Sequence, residues 1–222
     1  MIMSKLSRML LALAACLTLA ALATPLWRIH LSAPQYPEGL GMEIHAGSVR
    51  GASENDLHSI NSLNHYIGMK AIEPEEIAEL RVIPWLIAGL AAAGFVAAAV
   101  GRRRLTIAWL VSFAVLGVVG MWDFRHWEFE YGHDLDYAHA IIKVPGMTYE
   151  PPLIGSKQLL NFTASSWPDI GTLLIGAAFL IAVASLFVGA RRRAELRIAA
   201  PTPSPAPSPA PSRPTAPRER LA

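Results

Sequence analysis

Four long apolar runs leave this chain few ways to fold: Met9–Trp27, Ile83–Gly101, Leu105–Trp122 and Gly171–Ala190. Each falls in the range of about 17–25 residues that a helix needs to cross a bilayer core. Basic residues mark one end of every run. Lys5 and Arg8 precede the first, Arg102, Arg103 and Arg104 separate the second from the third, and Arg191, Arg192 and Arg193 follow the fourth. Under the positive-inside rule these three positions face the cytoplasm. Both termini are then cytoplasmic, and residues 28–82 and 123–170 lie outside. All seven histidines (His30, His45, His58, His65, His126, His133 and His139) fall in those two outer segments and none in an apolar run.

The formal net charge of +2 hides two unlike surfaces. The cytoplasmic segments hold twelve Lys and Arg against Glu195 and Glu219, whereas the outer segments hold seven against fifteen carboxylates. Topology and anionic lipid account for the basic residues. No nucleic-acid motif or aromatic-interleaved basic patch is present, so a nucleic-acid partner is not expected. Cys16, the only cysteine, lies inside the first run. Intramolecular disulfides and cysteine-based zinc or iron–sulfur sites are therefore excluded. Leu13-Ala14-Ala15-Cys16 imitates a lipoprotein box and Ala21-Leu22-Ala23 a signal-peptidase site, yet the apolar run continues unbroken through Thr24. An uncleaved signal anchor is the expectation.

The expected fold class is an all-α membrane protein. It has four transmembrane helices, two long extracytoplasmic loops containing short helices, and a disordered C-terminal tail. The divisions are 1–27 (anchor and first span), 28–82 (outer loop 1), 83–122 (second span, Arg-rich turn, third span), 123–170 (outer loop 2), 171–190 (fourth span) and 191–222 (tail). Ser32 to Gly39 reads as an extended, proline-stiffened strap, because its prolines and glycine oppose a helix. Leu40–Val49 alternates in a way that fits a strand. Ser53-Glu54-Asn55-Asp56 offers a helix N-cap, and Leu57–Met69 follows with helical periodicity, putting Leu57, Ile60, Leu63 and Ile67 on one stripe and His58, Asn61, His65 and Met69 on another, with Gly68 at a fraying or C-cap position. Glu73–Glu76 reads as the start of a second short helix that leads into the second span. Helical spacing also joins Trp122, His126, Phe129 and His133. Gly155–Phe162 reads as a short amphipathic piece, and 201–218 as a polyproline-like extension that buries no core. Both outer loops are too long to be simple connectors, and they are expected to pack on each other.

The chemistry-bearing residues are histidines and methionines. His58, His65 and Met69 form the strongest local candidate for metal ligation. Met42 with His45 adds a second pair, and His126, His133 and Met147 repeat the ingredients in the other loop. Soft thioether favours Cu(I) and imidazole binds either oxidation state, so a mixed set points to copper before other metals. Wetted interfacial histidines and packing methionines are the plainer explanation of the same residues. Catalysis is not expected: there is no HExxH, GxSxG or Walker loop, and no nucleophilic cysteine outside the membrane. No span carries a charge deep inside, which argues against a proton relay or a conventional transporter. No span holds a histidine for haem.

Three stretches, PQYPEGLGMEIHAG (Pro34–Gly47), LNHYIGM (Leu63–Met69) and KVPGMTYEPPLIGSKQLLNF (Lys143–Phe162), resemble a family of bacterial four-span membrane proteins. That family is associated with nitrous oxide reductase and copper-accessory gene clusters. The resemblance covers most of the outer loops and little of the spans. It implies a copper context and brings no catalytic residues with it. The leading expectation is a non-enzymatic inner-membrane accessory protein that handles copper for a periplasmic chaperone or metalloenzyme. One alternative is a metal-free scaffold docking an ABC permease or periplasmic partner; another is a membrane subunit of a respiratory electron-transfer complex.

Overall fold

The computed structural model describes residues 2–198, so the proline-rich tail at 201–218 lies outside the described residues. The apolar runs form helices: α1 (Lys5–Ala20, continued by a 3-10 turn at Ala21–Ala23), α3 (Glu79–Val100), α4 (Arg103–His133) and α5 (Ile170–Ile198). All four are long and apolar enough to cross a membrane. A shorter helix, α2 (Asp56–Ile67), lies between α1 and α3.

Helix α1 runs through the middle of the bundle, packed on α5 and α3. Small residues make that approach possible: Ala14, Ala15, Ala97, Ala178 and Ala182 are all buried. Trp109 and Phe113 fill the remaining space, edge to face at 5.1 Å, with Phe179 beside Phe113 at 5.6 Å. Arg8 caps the end of α3, donating from Nε to the Ala98 carbonyl at 2.8 Å and from Nη2 to that of Ala99 at 2.6 Å. Those last-turn carbonyls have no partner inside the helix, and Gly101 (φ 65) turns the chain away beyond them.

The all-α expectation does not hold. The two segments between helices build a five-stranded antiparallel sheet of β1 (Trp27–Ala33), β2 (Tyr36–Ile44), β3 (Val49–Gly51), β4 (Gly155–Leu159) and β5 (Phe162–Pro168), in the order β3-β2-β1-β5-β4. The central pairing, β1 with β5, joins the two segments in a register that matches Trp27 with Pro168 and Ser32 with Thr163. The stretch read as a strap is instead a hairpin. Ala33 pairs with Tyr36, the register slips between Leu31 and Ala33, and Gly39 takes φ 78. Proline and glycine sit at this irregularity, where a missing N–H and a left-handed φ are tolerated. A Cβ at Gly39 would lie 2.3 Å from the ring of His30, which would have to move, and φ 78 strains any other residue there. Gly155–Phe162 likewise contains a strand, and Glu73–Glu76 forms a turn rather than a helix.

Helix α2 forms as its periodicity predicts. Ile60 and Ile67 are buried, and Leu57, Ile60 and Leu63 pack with Trp27, Ile29, Leu40, Met42 and Val49 of the sheet. Its start differs from the expected cap: Asn55 precedes it without a side-chain cap, and the Asp56 carboxylate accepts from Gly41 N–H at 2.8 Å and Ser53 N–H at 3.2 Å. Phe124 of α4 joins the same core, its ring 5.1 Å from Trp27. The sheet, α2 and the last turns of α4 thus make one head. It connects to the C-terminal ends of α1 and α4 and the N-terminal ends of α3 and α5, leaving the Arg102–Arg104 turn at the other end of the bundle.

Candidate functional site

The donor residues divide by what the fold already asks of them. Met42 is buried in the head core, paired in β2 opposite Ile29 and Gly51, so its thioether serves packing. Four histidines sit beside carboxylates: His45 is 3.7 Å from Glu43, His126 is 3.5 Å from Glu130, His133 is 3.6 Å from Glu150 and His139 is 2.7 Å from Asp136. His126 also stacks on Trp122 at 5.7 Å, and His133 on Phe129 at 3.9 Å, as the helical spacing of α4 requires. The His133 ring nitrogen Nδ1 lies 2.9 Å from the Phe129 carbonyl.

His58 and His65 are different. Both project from the exposed face of α2, opposite its buried stripe, and among the described residues neither ring has a partner. They are seven residues apart, about 10 Å along a helix axis at 1.5 Å per residue, too far for one ion to bridge directly. Met69 does not continue their stripe. Gly68 takes φ 78 and ends the helix; its N–H donates to the His65 carbonyl at 3.3 Å, and that of Met69 donates to the Asn64 carbonyl at 2.9 Å. That pair of bonds is a Schellman closure, which folds the chain back over the last turn and breaks the four-residue helical relation between His65 and Met69. Asn61, on the same stripe as the histidines, holds the chain beyond by bonding both the N–H and the carbonyl of Ile72.

In the second segment, Met147 lies in an irregular stretch that crosses the end of α4. Its carbonyl accepts from Tyr137 Oη at 3.3 Å, and the next turn of chain brings Glu150 against His133. The structure therefore brings His133 to the Met147–Pro152 stretch and leaves His126 more than a helical turn away, on its own aromatic neighbour. Among the described residues, no group of three His, Cys, Asp or Glu side chains is set to hold a metal ion.

One group the motifs do not point to is Glu128. The apolar part of α4 ends at Trp122, and Asp123–His133 continues as helix into the head. Glu128 lies one turn past Phe124 on the head-facing stripe and is only 5 % exposed. Neither of its carboxylate oxygens has a hydrogen-bond partner. Burial pushes its pKa up from 4.5 to about 7, against the pull of Arg125 and with a further push from Glu150. The spacing from Phe124 is the only sequence signal for it. Compared with known protein families and with curated proteins, the chain matches none.

Proposed function

We propose that this is a non-enzymatic accessory protein of the bacterial inner membrane, with both termini cytoplasmic and its head on the periplasmic side. There it takes up Cu(I) on α2 and passes it to a periplasmic chaperone or metalloenzyme. The observation that carries this reading is the contrast between His58 and His65, exposed and unpartnered on a packed helix, and the four histidines already engaged with carboxylates. Imidazoles free of intramolecular partners are available as ligands at no cost to the fold. Solvent-open donors of low coordination suit ligand exchange better than storage. The excess of carboxylates on the same segments favours cations near the head. Sulfur from Met69, or donors of the partner, would complete the coordination during transfer.

A competition titration of the purified protein with a Cu(I) chelator tests this. Replacing His58 and His65 together by alanine is expected to weaken Cu(I) binding by about tenfold or more, since even supporting residues of metal sites are worth 10–100-fold. Equal affinity in wild type and double variant would remove α2 as the binding face.

A second reading, a metal-free scaffold that docks an ABC permease or a periplasmic partner, draws on the separation of the two histidines. Absence of any Cu(I) binding in the titration would favour it.

A further inference from the structure

Helix α4 is held at two levels and is bare between them. At the lower level Trp109 Nε1 donates to the Leu90 carbonyl of α3 at 2.7 Å. Phe113, 5 % exposed, packs there against Phe179 of α5. At the upper level Phe124 packs on Trp27 in the head core. Steps of four, three and four residues place Gly117 and Gly120 on the stripe that joins Phe113 to Phe124. Both glycines are exposed, and a Cβ added to either would meet nothing within 4 Å among the described residues. Gly176 lies three residues before Phe179, on the face of α5 turned to α4, and it too is exposed with nothing within 4 Å. Residues 117–120 step round the whole circumference of α4, and all four are exposed. The protein thus leaves a gap beside α4, floored by Phe113 and Phe179 and roofed by Phe124 and Trp27.

Depth, lining and length select what fills it. The gap lies in the half of the span nearer the head, because Trp122 ends the apolar part of α4. No charged residue occurs in α4 from Leu105 to Trp122, or in α5 from Ile170 to Ala190. Water finds no polar partners against such a lining, and an empty gap forfeits the dispersion contacts of the walls. From Phe113 to Phe124 is about 16 Å along the helix axis, at 1.5 Å per residue. A spanning helix, from a second copy or another protein, needs the whole hydrocarbon core of about 30 Å, and the anchors of α4 at both ends bar it. The hydrocarbon chain of a single leaflet covers about half that core, so it matches the gap in length as well as polarity.

We propose that this gap is a binding site for one acyl chain of a phospholipid from the head-side leaflet. The chain packs against the glycine faces of α4 and α5, and the lipid headgroup lies at the level of Trp122, whose exposed ring suits that interface. Glycine at 117, 120 and 176 gives the chain its width; a large side chain at any of them would fill the gap from the protein instead. Lipid then supplies the packing that α4 lacks between its two anchors, and it supports Phe124 beneath the head.

Quenching of tryptophan fluorescence by bromine on the acyl chain reads this contact. With Trp85→Phe, Trp122→Phe, Trp127→Phe and Trp167→Phe combined, the remaining tryptophans are Trp109 at the floor and Trp27 at the roof, 4 % and 5 % exposed. The protein itself shields both from the surrounding bilayer. In phosphatidylcholine brominated at mid-chain their fluorescence is expected to fall relative to the unbrominated lipid, and adding Gly117→Leu and Gly120→Leu should restore it. Undiminished fluorescence in the parent, or the same loss in the leucine variant, overturns the site. Should the leucine variant fail to fold, native mass spectrometry compares the wild type with Gly176→Leu, which fills the gap from α5, after release from phosphatidylcholine nanodiscs. One phosphatidylcholine retained by the wild type and lost from Gly176→Leu supports the site. A wild type bare of lipid, or equal retention in both, overturns it.

Discussion

Replacing Trp27 by alanine is expected to destabilise the protein by about 3–5 kcal/mol, the range for truncating a buried large aromatic. Trp27 is 5 % exposed at the start of β1, where the strand leaves α1. Its ring rests on Phe124 of α4, and its Nε1 donates to Ser166 Oγ of β5 at 2.7 Å. A single side chain thus ties together the first segment, the second segment and the extended end of α4. Truncation would open a cavity in the head core and leave the buried Ser166 hydroxyl with only the Leu153 carbonyl to bond. Unfolding in detergent, followed by circular dichroism, provides the measurement. Trp85→Ala is the control, because Trp85 is 79 % exposed on α3 and its loss should change the transition little. Equal stability of the two variants would mean that Trp27 does not hold the head together.

The second large effect is expected at Gly132. Alanine there would place its Cβ against Glu150 backbone, which cannot rotate aside as a side chain end would. Overpacking of this kind costs about 1–3 kcal/mol or shifts the backbone instead. The Met147–Pro152 stretch against it belongs to no helix or strand, so Gly132→Ala should lose stability and become more readily cleaved by protease between Lys143 and Leu153. Gly117→Ala on the same helix meets nothing within 4 Å and should be neutral or slightly stabilising, since alanine is the better helix former. Unchanged protease resistance in Gly132→Ala would show that the Met147–Pro152 stretch does not rest on α4.

The helices were legible in the sequence because their signals are local. An apolar run of span length needs no partner to be recognised, and the buried stripe of α2 follows from spacing alone. Of the sheet only the alternation at Leu40–Val49 was legible, where β2 and β3 now lie, and the rest was hidden for the opposite reason. Its central pairing joins β1 to β5 across α2, α3 and α4, and its edge strands, β3 and β4, are short. Pro37 and Gly39 argued against regular structure in a stretch whose irregularity is a β-bulge. Helical spacing sets Met69 beside His65 only if α2 runs on to 69, and Gly68, a C-cap position legible in the sequence, ends the helix first. Glu128 was hidden because a glutamate on an exposed-looking helix is buried only once the head packs on its face. Spacing shows which residues share a face, but not what comes to lie upon that face.

Cells can be made to report directly whether the two segments form one head outside the cytoplasm. Ser32 and Thr163 are exposed partners in the β1–β5 register. Directly opposed antiparallel residues lie about 4.5–5.5 Å apart at Cα, within the roughly 4.4–6.8 Å that a disulfide spans. In a Cys16→Ala background, the Ser32→Cys/Thr163→Cys variant should form an intramolecular disulfide during expression, without added oxidant, because the bacterial periplasm is oxidising and the cytoplasm is not. A bridge linking these two positions, found by mass spectrometry after thiol blocking, is the expected result. Two free, fully alkylated thiols in folded protein would contradict the shared sheet, its location outside the cytoplasm, or both.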